Sequence, residues 1–126
     1  MSQRSPLAKV RGLGSAKEGV QHFWMQRATA VANIVLVCFL LSLLVYLAGA
    51  DHAMARRTLA QPYVAIPLLL LVLSGIVHMR LGMQTIIEDY VHGEGAKVAA
   101  LMLNTFFAIL VGITCVFAVL KLSFGA

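Results

Sequence analysis

Residues 62–90 read PYVAIPLLLLVLSGIVHMRLGMQTIIEDY. Proline opens the run, apolar residues fill it as far as Met79, and Glu88-Asp89-Tyr90 closes it. A stretch so long and so poor in charge reads as a helix that crosses a bilayer. At ~100° per residue, His78, Gly82, Thr85 and Asp89 share one face with Leu71, Ser74 and Gly75. That face is small and polar within an apolar segment, so it is built to meet something other than lipid. At ~1.5 Å rise per residue, His78 and Asp89 stand roughly 16 Å apart, about half a bilayer core.

Two further apolar runs flank this one. The first covers residues 28–49, with Thr29, Asn33 and Ser42 as its polar members. Thr29 and Asn33 are one turn apart and share a face that suits contact with another helix. The third covers residues 98–120, with Asn104 and Thr105 as its polar points. Between the first and second runs, Asp51, His52, Arg56, Arg57 and Gln61 read as a short polar loop. Pro62 suits the first turn of a helix, whereas Pro67 removes one hydrogen bond from a running helix and kinks it. Gly93 and Gly95 break the chain before the third run.

Composition agrees with this pattern. Hydrophobic residues make up 60% of the 126 and charged ones only 12%, with a mean hydropathy of +0.88. A soluble core of this length could not hide so many apolar side chains, so the class is integral membrane protein. The net charge of +5 does not point to nucleic acid, because the basic residues sit beside the apolar runs and read as topology signals. The fold class expected is all-α: three transmembrane helices, up, down and up, within a hetero-oligomeric helix bundle. Residues 1–14 form a basic tail with no clear period, and residues 15–126 form the membrane domain. Ser15 and Glu18 match a capping box that starts the first helix, and Trp24 suits the headgroup layer. The polar stretch ahead of the first run argues against a cleavable signal peptide. Cys38 and Cys115 each lie alone in an apolar run and read as buried, reduced, small apolar residues.

The chain's ten Lys and Arg divide unevenly. Arg4, Lys9, Arg11, Lys17, Arg27 and Lys97 fall on one side. Arg56, Arg57 and Lys121 fall on the other, and Arg80 lies within the second span. The positive-inside rule puts the N-terminus and the Asp89-Tyr90 end on the cytoplasmic side.

Within the spans, His78 is the group that carries chemistry. An imidazole there can hydrogen-bond a neighbouring helix, ligate haem iron or relay protons, and the residues alone leave all three open. Glycine one turn to either side leaves room for a flat macrocycle, but small residues equally mark helix packing. Tyr90 can donate to a carbonyl oxygen and Asp89 can hold charge or pass a proton, which suits a quinone head; both also suit a solvated interface. Arg27 can snorkel to the interface or pair with an acid such as a haem propionate. Arg80 points about 160° away from the His78 face. His22, His52 and His92 read as loop or interface residues. No nucleophile–base set, phosphate-cradling loop or metal-ligand spacing is present.

His78-x3-Gly82-x6-Asp89-Tyr90, with Met83 and Gln84 between, resembles the second span of the hydrophobic membrane anchors of succinate dehydrogenase, respiratory complex II. Gly19-Val20, Phe23 and Arg27-Ala28-Thr29-Ala30 resemble that family's entry into its first span. The resemblance covers most of residues 19–91. It implies a partner cytochrome b-type membrane subunit, with a flavoprotein and an iron-sulfur subunit held at the membrane face. It implies one haem b between the two anchors, with His78 as this chain's axial ligand to the iron and Arg27 near the propionates. It also implies that Tyr90 hydrogen-bonds ubiquinone and that Asp89 belongs to the same site. The chain itself would not oxidise succinate, and it would reside as a multi-pass protein in a bacterial inner or mitochondrial inner membrane. Gln21 stands where some relatives have histidine, with His22 beside it, and Arg80 stands where an apolar or aromatic residue is usual. Two rival expectations are a small proton-conducting or transport protein using His78, Asp89 and Glu88, and a purely structural anchor without haem.

Overall fold

In the computed structural model, residues 6–11 and 18–125 are described, and they form five helices and no strand. Helix α1 (Pro6–Val10) is a single turn within the expected basic tail. Proline begins it without leaving a backbone N–H unpaired, and the Arg11 amide closes it onto the Leu7 carbonyl at 3.0 Å. Of the expected capping box, Ser15 to Lys17 lie outside the described residues. Helix α2 (Glu18–Leu47) runs unbroken past Trp24 and Arg27 through the first apolar run. It ends at Gly49, whose φ of 83° only glycine adopts without strain.

The polar loop expected next is instead a two-turn helix, α3 (His52–Leu59). Asp51 caps it, its carboxylate accepting from the Met54 amide at 2.7 Å. The cap and the following run of Ala, Met and Arg, all good helix formers, account for the correction. Its charged residues suggest a loop in the sequence, but they fill the outward face of an amphipathic helix.

Helix α4 (Pro62–Tyr90) has Pro62 in its first turn and continues on both sides of Pro67. The Tyr63 carbonyl forgoes the donor that an N–H at position 67 would supply. The Val91 amide closes the far end onto the Ile87 carbonyl at 3.0 Å. Helix α5 (Glu94–Ser123) follows Gly93, with Glu94 in its first turn and Lys121 in its last, both favourable to the helix dipole.

Helix α4 is the centre of the fold. It packs against α2 and against α5, and α3 touches both α4 and α5. Asn104 on α5 donates to the Arg80 carbonyl at 3.0 Å, and Gly112 lies close against Ile76. At ~100° per residue, Ile76 lies about 160° around α4 from His78, so the α5 contact is nearly opposite the His78 face. Three helices, α2, α4 and α5, are long and apolar enough to cross a membrane. Their surroundings explain the small core. Among the described residues only Leu43, Val64, Ala65, Ile87 and Ala108 are buried apolar residues, because side chains facing lipid need no protein cover. The same reason corrects the reading of the cysteines. Both are free thiols, but Cys38 is exposed on the outer surface of α2 and Cys115 is half-buried.

Candidate functional site

The polar face of α4 meets α2. His78 Nδ1 lies 3.2 Å from Thr29 Oγ1. Thr29 also turns its hydroxyl back onto its own helix, 2.7 Å from the Met25 carbonyl and 3.1 Å from that of Gln26. A hydroxyl has one proton. With that proton on the Met25 carbonyl, Nδ1 must carry its own and donate it to Thr29 Oγ1. In that arrangement the lone pair is on Nε2. This half-buried ring is held at Nδ1.

Small residues let the two helices approach. Ser74 Oγ donates to the Thr29 carbonyl at 3.4 Å, a long bond that marks close backbones more than it adds strength. A Cβ on Gly82 would sit 3.9 Å from Gln26 Nε2, whereas one on Gly75 would meet nothing within 4 Å. The two glycines flanking His78 therefore differ. Gly82 lies at the α2 contact, and Gly75 faces open space one turn from the imidazole. Arg27, two residues before Thr29, lies about 160° around α2 from it, so it is exposed on the side of α2 turned away from the α4 contact rather than beside His78. Its guanidinium carbon stands 5.2 Å from the centre of the Phe23 ring, a cation–π contact. Phe23 and Trp24 meet edge to face at 6.1 Å.

Asp89 and Tyr90 lie in the last turn of α4, both exposed, with Tyr90 at 76%. They share one helix end with each other but not with His78, from which the helix rise holds Asp89 roughly 16 Å away. Thr85, on the same face, spends its hydroxyl on the Leu81 carbonyl at 3.1 Å. Glu88 accepts from Gln84 at 2.8 Å, and Lys97 donates to the Glu88 carbonyl at 3.0 Å. His22, expected outside the spans, lies half-buried within α2, and its Nε2 is buried without a hydrogen-bond partner. Asn33 Oδ1 is likewise buried and unpartnered. Among the described residues, no three His, Cys, Asp or Glu side chains gather to hold a metal ion.

The sequence puts Thr29 on a helix-contact face and His78 on another, and nothing local joins them. The usable signal was that each is a polar group deep in a span, and such groups seek one another across helices.

The comparisons with known proteins agree with this architecture. Residues 1–119 match the family described as succinate dehydrogenase/fumarate reductase transmembrane subunit. A succinate dehydrogenase hydrophobic membrane anchor subunit of Paracoccus denitrificans is 31% identical over 97% of this chain and 94% of its own length. One of Rickettsia bellii (strain RML369-C) is 31% identical over 92% of this chain and 93% of its own. The succinate dehydrogenase membrane anchor subunit of Reclinomonas americana is 30% identical over 74% of this chain and 80% of its own. No solved structure matches the chain. With three apolar spanning helices and a family match across nearly its whole length, the chain is a multi-pass membrane protein that belongs to the succinate dehydrogenase/fumarate reductase transmembrane subunits, among their hydrophobic membrane anchors.

Proposed function

We propose that this chain anchors a succinate dehydrogenase to the membrane, shares a haem b with a partner subunit through His78, and helps form the site where ubiquinone is reduced. The observation that carries the haem reading is the Thr29–His78 contact at 3.2 Å. Imidazoles that ligate metals generally give their other ring N–H to a fixed acceptor, which sets the tautomer and the ring orientation. Thr29 is such an acceptor, and Nε2 is left with the lone pair that iron requires. The open space beside Gly75 suits a flat ring. A lone imidazole is also the donor set expected when a macrocycle supplies the equatorial ligands. A second imidazole would come from a cytochrome b-type partner, and Arg27, with no acid of its own among the described residues, would serve a propionate. Haem b, when bound, takes up and returns one electron.

At the end of α4, Tyr90 donates its phenolic proton to a quinone carbonyl oxygen, and Asp89 holds charge or passes a proton beside it. Both stand exposed, ready to be covered by the iron-sulfur and flavoprotein subunits. The basic residues beside that end support a cytoplasmic or matrix side for it and for the N-terminus. Succinate oxidation belongs to those partners, and this chain performs no catalytic step alone. Family membership leaves the transport reading without support. The haemless anchor is the remaining rival, favoured by the fact that Thr29 already gives one ring nitrogen a partner.

The test is a reduced-minus-oxidised visible spectrum of the purified complex with His78→Leu. Loss of the b-type bands with the subunits still assembled is the expected result. Unaltered bands would exclude His78 as a ligand.

A further inference from the structure

Arg80 is the feature neither the family nor the haem reading absorbs. It lies inside a membrane-spanning helix, is exposed, and makes no ion pair or side-chain hydrogen bond among the described residues. It lines a groove of about 400 Å³ between α2 and α4, together with Gln21, His22, Met25, Val77 and Leu81. His22 Nε2, in the same groove, is buried without a partner. Arg80, His22 and Gln21 thus line one groove together with three apolar side chains. No carboxylate lines it, and Glu88, further along that flank of α4, is engaged by Gln84 at 2.8 Å.

We propose that this groove binds one phospholipid with an anionic headgroup. The lipid's phosphate lies against Arg80, His22 and Gln21, and the start of an acyl chain lies along Met25, Val77 and Leu81. Three features favour that occupant. An unpaired arginine within a span must meet an anion or water, and a phosphate matches its forked donors. Basic pockets between spanning helices on the cytoplasmic or matrix side are suited to anionic headgroups. The depth also fits. The 29 residues of α4 extend ~43 Å, about 13 Å beyond the hydrocarbon core, so Arg80, roughly 15 Å from Tyr90, lies within snorkelling reach of the headgroups.

The groove also lies apart from the proposed haem position. On α4, Val77, Leu81 and Arg80 turn one way from His78, and Gly82 and Gly75 turn the other. Lipid binding here depends on the spans and the groove, and it stands or falls separately from the cofactor.

The experiment is native mass spectrometry of the intact complex carrying this chain. It is purified in detergent, reconstituted with phosphatidylglycerol or with phosphatidylcholine, and stripped back with detergent. The wild type should retain one phosphatidylglycerol under conditions that remove phosphatidylcholine. Arg80→Gln should weaken that retention about tenfold or more, the scale of a charge-assisted hydrogen bond. His22→Phe should weaken it too, and provides the test if Arg80→Gln fails to assemble. Arg57→Gln, at the other end of the spans, should leave it unchanged.

Equal retention of both lipids by the wild type would overturn the proposal. So would unchanged retention in both groove variants. An altered haem spectrum in Arg80→Gln with lipid retention intact would assign the groove to the cofactor, and a lost partner subunit with lipid retention intact would assign Arg80 to a protein acid.

Discussion

Replacing Thr29 by valine would test the haem reading at its weakest joint. The two side chains have nearly the same shape, so the substitution removes the hydroxyl and little else. It deletes the 3.2 Å contact to His78 Nδ1 and the back-bond to the Met25 carbonyl. Hydrogen bonds between spanning helices average about 0.6 kcal/mol, with a maximum near 1.7, so the cost to the α2–α4 contact is about 1 kcal/mol. On the haem reading, the effect on the cofactor is larger. Removing the acceptor that orients a metal-ligating imidazole typically lowers affinity about 10- to 100-fold. The assay is the transfer of haem from the detergent-purified complex to excess apomyoglobin, followed in the Soret band. Thr29→Val should release haem at least about tenfold faster than the wild type. Thr29→Ser, which keeps the acceptor, should stay near the wild type. Ser74→Ala removes only the 3.4 Å bond to the Thr29 carbonyl and should also stay near it. Equal release rates for Thr29→Val and the wild type would refute the argument that Thr29 sets the imidazole, and valine-like behaviour in Ser74→Ala would reduce it to helix packing.

Other substitutions probe the remaining parts. Gly75→Val places a branched side chain where a Cβ meets nothing in this chain; the spans should still insert, but haem content of the assembled complex should fall, as absorbance per flavin would report. Tyr90→Phe removes one hydroxyl at an exposed helix end. Quinone reduction should drop roughly tenfold or more, the worth of one hydrogen bond to the reacting molecule, while succinate oxidation with an artificial dye acceptor continues. Gly112→Ala adds a methyl at ordinary contact distance from Ile76, 3.6 Å. With the gain in helix propensity, the complex should withstand about 0.5–1 kcal/mol more perturbation in a denaturing-detergent titration.

The spans were legible because each relies on the same signal, a long run of apolar residues bounded by charge, proline or glycine. The polar face around His78 was legible because helix period alone builds it. What was hidden depended on neighbours or on solvent. Helix α3 was hidden because Arg, Asp and His residues also compose loops, although Asp51 followed by Ala53, Met54 and Ala55 is a capped helix start. Cys38 reads as internal because apolar residues go inside soluble proteins, whereas in lipid the outside is equally apolar. The glycines flanking His78 look alike in sequence. Only the position of α2 separates Gly82, which faces Gln26, from Gly75, which faces open space. The Thr29–His78 contact spans 49 residues, and no local period carries that information. Arg80 was plain in the sequence as an anomaly, and the groove it shares with His22 emerges only once the two helices are side by side.

The central position of α4 has a consequence for the life of the chain in the cell. With α2 and α5 on nearly opposite sides of it, the three spans form a row rather than a closed cluster, and few side chains are sealed within the chain itself. A row has little internal cohesion, so most of the free energy that holds its helices in place must come from neighbouring chains. A copy made in excess of those neighbours keeps a polar flank bare in the bilayer, open to membrane proteases. On that reasoning, the abundance of this chain should follow that of its neighbours in the membrane.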